Sequence, residues 1–284
     1  MVLHPGPGAE TSRDSQDLWS IHWTYTNFLV TAEKTFSEAT IIPEWENSTG
    51  QKAPLGTMVH EFGHELGLPD LYDTDGSSEG IGFWGLMASG SWLDHGETPG
   101  HMSAWSKYQL GWVELVNVTN DMLDVELESW ALNNTVYRLP LPHDNVSSNE
   151  YFLVTYRNLT GYDSHLPGPG LLIWHIDDSL DNNTNENHKL VDLEEADGLN
   201  ELDFDSSSPN GSRGDAGDPW TASSDGFGSH SNPNASDHAG LDSGWRIVDL
   251  EDLGNGRYRF DIRLRMVPYP VLLVLPSLSL SLSL

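Results

Sequence analysis

Residues 54 to 73 read Pro54-Leu-Gly-Thr-Met-Val-His-Glu-Phe-Gly-His-Glu-Leu-Gly-Leu-Pro-Asp-Leu-Tyr-Asp73. Within this stretch His60-Glu61-Phe62-Gly63-His64 is an H-E-x-x-H match. Leu55, Val59, Phe62 and Leu66 recur at helical spacing, and Pro54 suits a first-turn position, so the stretch is predicted to be a helix with an apolar back face. On that helix His60 and His64 stand one turn apart on one face, about 6 Å along the axis. Two imidazoles so placed can grip one small cation, and zinc is the ion this pattern suits. Glu61 sits beside them, where it can act on a water and does not compete as a ligand.

The flanking residues sharpen the signal. Gly67 falls where the helix can close in a left-handed turn, and Pro69 discourages its continuation. The reversed chain can return Asp70 to the cation as a third ligand. A bare H-E-x-x-H arises by accident in about 3% of chains of this composition, and requiring Gly67 and Asp70 lowers that to roughly three in ten thousand. Glu79 and Glu97 are the alternative third ligands, in the manner of peptidases whose glutamate comes from a later segment. A closed structural zinc site would need a fourth ligand, and none is evident.

The run HEFGHELGLPDLYDTDG, followed by FWGLMASGSW and HMSAWSKYQLGWVEL, resembles the immune inhibitor A-like family of secreted zinc metallopeptidases. So do EYFLVTYRN, GYDSHLPGPGLLIWHID and GDAGDPW, and the similarity spans most of residues 17 to 220. The resemblance implies a metzincin-like peptidase fold, zinc-dependent proteolysis of protein or peptide substrates, and export as a precursor. It also implies that Met87 belongs to a methionine turn, a hydrophobic floor under the zinc. The general metzincin pattern has a third His where this chain has Asp70.

Composition narrows the partners. The 284 residues carry 43 acidic and 13 basic side chains, a formal charge of −30. Such a surface repels nucleic acid and anionic membranes. The acid reads as a solvated surface, with some of it available to cluster into Ca²⁺ sites. There is no cysteine, so neither a disulfide nor a thiol latency switch can act from within this chain. Eight N-x-S/T triplets, at Asn47, Asn117, Asn133, Asn145, Asn158, Asn182, Asn210 and Asn234, exceed the roughly three that composition predicts and suit an extracellular protein. Loops rich in Asn and Ser would also make them. Residues 1 to 16 have neither a basic start nor an apolar run, so they read as a disordered stretch and not as a signal peptide, and the chain reads as a piece of a longer precursor.

The fold class expected is α+β: a zincin or metzincin-like core over 17–118, then a β-rich extension over 119–265. Trp19 to Val30 reads as a strand, placed to align a substrate backbone by strand addition. His101 to Val113 reads as a helix beneath the site, with Tyr108 able to reach an oxyanion or, as the plainer account, packed as a structural tyrosine. MLDVELES, TVYRLPL, YFLVTYRN, GLLIWHID, WRIVDLEDL and GRYRFDIRLR read as strands. Asp73, Asp75 and Glu79 around Gly76, and Asp215 and Asp218 in a Gly-Asp-x-Gly-Asp run, are candidate Ca²⁺ ligands, against ordinary acidic turns. The acidic loops of 177–242 are either linkers or such cages. Residues 266–284, uncharged and broken by prolines, read as a low-complexity tail and not a membrane span.

The function expected is that of a secreted, monomeric zinc endopeptidase. The rival is a Ca²⁺-dependent adhesion protein retaining an inactive peptidase fold.

Overall fold

The structure, a computed structural model, describes residues 1–12, 14–30, 35–46, 50–141 and 149–265. It is a mixed α+β chain, rich in strands and poor in helices. The tail at 266–284, Asn47 and Asn145 lie outside the described residues.

Three sheets organise the chain. In the first, β1 (Val2–Pro7) runs parallel to β3 (Thr35–Trp45), which pairs antiparallel with β2 (Ile21–Val30). The order β1-β3-β2 leaves β2 at an edge. Residues 2–7, within the stretch expected to be disordered, form β1. The register Val2↔Ile41 and Leu3↔Ile42 gives residues 2–7 a backbone ladder, which supplies order without an apolar pattern of their own.

After a single turn, α1 (Ala9–Ser12), near the start of the chain, the helix α2 (Leu55–Glu65) follows the first sheet, and the segment after it folds back through short turns to α3 (Ala104–Gln109). Helix α3 is shorter than the sequence predicts. Ser103 caps it by accepting the backbone N–H of Ser106, and Gly111, with φ of 68°, follows its end.

The centre of the molecule is a five-stranded sheet, β4-β6-β7-β8-β9, built from Glu114–Asn117, Thr135–Pro140, Glu150–Arg157, Gly170–Asp177 and Val191–Leu193. Its two inner strands are continuous apolar runs because both faces are covered. Leu153, Leu172, Trp174 and Ile176 point to one face and pack with Leu71, Trp84, Met87 and Trp105 from the metal-helix half. Phe152, Val154, Leu171 and Ile173 point to the other. There they meet the third sheet, β10-β11-β5 (Trp245–Gly254, Arg257–Leu264 and Met122–Glu128), through Val125, Leu127, Ile247, Phe260 and Ile262. The period of two along each strand thus divides two cores. One of them is shared by residues from both sides of position 118.

The acidic loops between β8 and β10 are ordered. Lys189 is fully buried and ion-paired with Asp192 at 2.7 Å and with Asp203. Among the described residues no helix is long and apolar enough to cross a membrane. Asn117, Asn182, Asn210 and Asn234 are exposed.

Candidate metal centre

The site is built from the helix outward. The C-terminus of α2 closes as the sequence anticipates. Gly67 adopts φ of 90°, its N–H reaches the carbonyl of His64 at 2.9 Å, and Leu68 N–H reaches that of Gly63 at 3.1 Å. This pair of bonds satisfies the orphan carbonyls of the last turn and reverses the chain.

The reversal brings Asp70 back over the helix. Its Oδ1 lies 3.1 Å from His60 Nε2 and 3.2 Å from His64 Nε2. The other ring nitrogens are fixed from behind. His60 Nδ1–H donates to Leu86 O at 2.9 Å, and His64 Nδ1–H donates to Leu68 O at 2.8 Å. Each carbonyl fixes its ring through Nδ1, so both Nε2 atoms face Asp70, donating to it when the imidazole is protonated and offering a lone pair to a cation when it is neutral. The two rings stand at 90° with centroids 5.0 Å apart, an arrangement in which in-plane lone pairs can converge on one point.

Burial opposes ionisation of Asp70, yet the hydrogen bonds from His60 and His64 outweigh it and hold the carboxyl well below its usual range. His64 is itself only partly exposed, and burial works against its charge, but the bond to Asp70 raises its pKa on balance. Burial raises the Glu61 carboxyl, against the pull of both histidines and the His22 backbone N–H.

Beneath the helix Met87 is fully buried, and a Cβ placed on Gly63 would lie 2.3 Å from its sulfur. Glycine between the two histidines is therefore what lets the Met87 side chain seat against the helix backbone.

Two cavities meet at the site, one of about 430 Å³ and one of about 850 Å³. Both are lined by Trp19, His60, Glu61 and Tyr72. The larger adds Ile21, His22 and Thr24 of β2 with His64 and Asp70, and the smaller adds Trp92 and Arg213. The result is a cleft running past the histidines on both sides, with the edge strand along one wall.

The structure brings His60, His64 and Asp70 together with Glu61 at the cleft. The alternative ligands stand apart. Glu79 is held by Arg213 at 3.0 Å and by the N–H of Ser206, and Glu97 is not grouped with the histidines. Tyr108 packs on the core and does not line the cleft, the structural role that was its plainer reading. Tyr72 is the residue that the sequence reading missed. It lines both cavities, its ring lies 6.2 Å from that of His60, and its hydroxyl is near enough to Asp70 to feel that carboxylate's charge. Burial and the neighbouring carboxylate push its pKa up to about 12. Its position just past Asp70, in a chain already expected to turn back, was the signal available.

Of the calcium candidates, Asp73 is spent as a turn-former. Its oxygens accept the N–H groups of Asp75, Ser77 and Ser78. Asp218 gathers with Glu195, Asp197 and Glu201, three residues absent from the expected set, while Asp215 Oδ1 accepts the N–H of Gly217. A further group, Glu150, His175 and His238, lies at the far end of β7 and β8. His175 is flanked by Glu150 at 2.9 Å and Glu194 at 3.1 Å.

Comparison with known proteins follows the same residues. Residues 3–113 match the family described as immune inhibitor A peptidase M6, catalytic domain, so the resemblance seen in the sequence stands. Immune inhibitor A of Bacillus thuringiensis subsp. alesti is 30% identical over 145 residues, covering 44% of this chain and 21% of that protein. The pre-pro-metalloprotease PrtV of Vibrio cholerae serotype O1 is 46% identical over 59 residues, 19% of this chain and 6% of that protein. The chain thus matches about a fifth or less of either relative's length.

Proposed function

We propose that this chain is a zinc-dependent endopeptidase of the metzincin-like type, acting outside the cell as a monomer on proteins or peptides. The observation that carries the reading is the convergence of His60 Nε2, His64 Nε2 and Asp70 Oδ1 at 3.1 to 3.2 Å, with Glu61 beside them in an open cleft. Two neutral imidazoles and one carboxylate make a three-ligand donor set that suits zinc and leaves a side open, the pattern of catalytic and not structural sites. When bound, the ion would acidify a water and polarise the scissile carbonyl.

The chain's own residues do the rest. Glu61 accepts the proton of the attacking water and delivers it to the leaving amine, and its burial raises its basicity for that task. Tyr72 lines the cleft beside Asp70, where its hydroxyl can reach the developing oxyanion. The edge of β2 offers unpaired backbone groups along the cleft wall, so an extended substrate can add to it as a strand. The Leu86 and Leu68 carbonyls hold both imidazoles in the tautomer that presents Nε2.

Glu61→Gln is expected to keep its metal and lose at least about a hundredfold in casein hydrolysis. Loss of the metal would place Glu61 among the ligands. A wild-type protein that holds zinc and hydrolyses nothing would favour the adhesion reading.

A further inference from the structure

Behind the metal helix lies a third cavity, of about 480 Å³, which the proposed hydrolysis does not use. Its walls are Leu55 and Val59 from the back of α2, with Leu86, Met102 and Trp112, and the Lys107 side chain also lines it. Leu55 and Trp112 are 38% and 50% exposed, large apolar side chains left open to solvent.

The charge around Lys107 does not balance. Its Nζ lies 3.6 Å above the Trp130 ring, and Arg157 lies 4.9 Å from the same ring. The nearby carboxylate is Asp163, and Arg157 already takes both of its oxygens, at 2.6 and 2.5 Å. Asp163 Oδ1 accepts the backbone N–H of His101 as well. The Lys107 ammonium has no ion pair or hydrogen bond among the described residues. Two cations therefore face one carboxylate, in a chain whose formal charge is −30. The indole N–H of Trp130 is likewise buried without an acceptor. Burial, and then the Arg157 charge, push the Lys107 amine down to about 7, as expected of an ammonium without a counterion. His101 is pushed down to about 4, chiefly by burial, so it supplies no charge of its own near neutral pH.

A cation–π contact offsets only part of the cost of partly desolvating the half-buried Lys107 ammonium. The missing partner is an anion, and the walls that would hold the rest of it are mostly hydrocarbon, with the polar groups of His101 and Tyr162 also among them. We propose that this cavity binds a medium-chain fatty carboxylate, with its head group on Lys107 and its chain along Leu55, Val59, Leu86, Met102 and Trp112. A peptide C-terminus has the same head group, but its amides would be left unpaired against these apolar walls. A hydrocarbon chain leaves nothing unpaired. The volume lies in the range of sites for small organic ligands.

The test is calorimetric titration of the full 284-residue chain with decanoate and with decan-1-ol, its uncharged counterpart. Decanoate is expected to bind one per chain and at least roughly tenfold more tightly than decanol. Lys107→Met should remove that advantage and leave decanol binding unchanged, and Lys107→Arg should retain it. Equal binding of the two ligands, binding of neither, or decanoate binding untouched by Lys107→Met overturns the proposal. If Lys107→Met does not fold, the acid-to-alcohol ratio on the wild-type chain decides alone.

Discussion

Among the described residues, two of the groups that hold imidazoles against carboxylates do so at nearly equal distances, and the angle between their rings distinguishes them. His60 and His64 cross at 90°, each anchored through Nδ1 to a backbone carbonyl. Their remaining lone pairs converge on the side of Asp70. His175 and His238 lie parallel, at 6° with centroids 4.1 Å apart, so their in-plane lone pairs run side by side and do not meet. Both ring nitrogens of His175 are already engaged, by Glu194 and Glu150. Burial opposes its charge, but the two carboxylates outweigh burial and push its pKa up to about 9. The second group thus favours a protonated imidazole. Residue type and distance are shared between the two; the direction of the lone pairs is what suits one of them to a metal.

This contrast breaks if the two groups respond alike to mutation. His64→Ala is expected to release the bound metal and abolish hydrolysis, whereas His238→Ala should leave both intact; elemental analysis beside a casein assay reads the difference. Next in size, His175→Ala should cost about 3 to 5 kcal/mol of stability, because Glu194 and Glu150 are left without their buried partner. Urea unfolding measures that loss, and the metal content of the variant should match the wild type. Tyr72→Phe should keep the metal and lower kcat about tenfold, since it removes the cleft hydroxyl placed to reach the oxyanion.

The smallest effect concerns pH. His175 binds its proton more tightly folded than unfolded, so its contribution is fully present below about 6.5, its ordinary value. It is lost as pH rises through about 9. The wild type should therefore lose more stability than His175→Ala between pH 6 and pH 9. Because the other titrating groups are common to both proteins, equal losses would remove the imidazolium from the account.

Much of the candidate site was legible because it is local. Helical spacing fixes His60 and His64, and Gly67 with Pro69 dictates the reversal that returns Asp70. Strands β7 and β8 were legible as strands from their unbroken apolar runs, but not the division of alternate residues between two cores, which depends on what covers each face. Tyr72 was missed because its hydroxyl comes near Asp70 only once the loop is folded. Asp73 looked like a cation ligand because an Asx-type turn and a calcium loop draw on the same residues, and only the positions of the Ser77 and Ser78 N–H groups separate them. The uncompensated charge on Lys107 was invisible for a related reason. Asp163, the carboxylate that might have balanced it, is 56 positions away in the chain and is taken by Arg157.

The central claim is that His60, His64 and Asp70 hold the zinc on which hydrolysis depends. Elemental analysis of wild-type protein and Asp70→Ala, each paired with hydrolysis of casein before and after chelation, tests it most directly. The account predicts one zinc per wild-type chain, with activity lost on chelation and restored by added zinc, and little metal in the variant. Hydrolysis that survives complete removal of metal, or full zinc occupancy in Asp70→Ala, would contradict it.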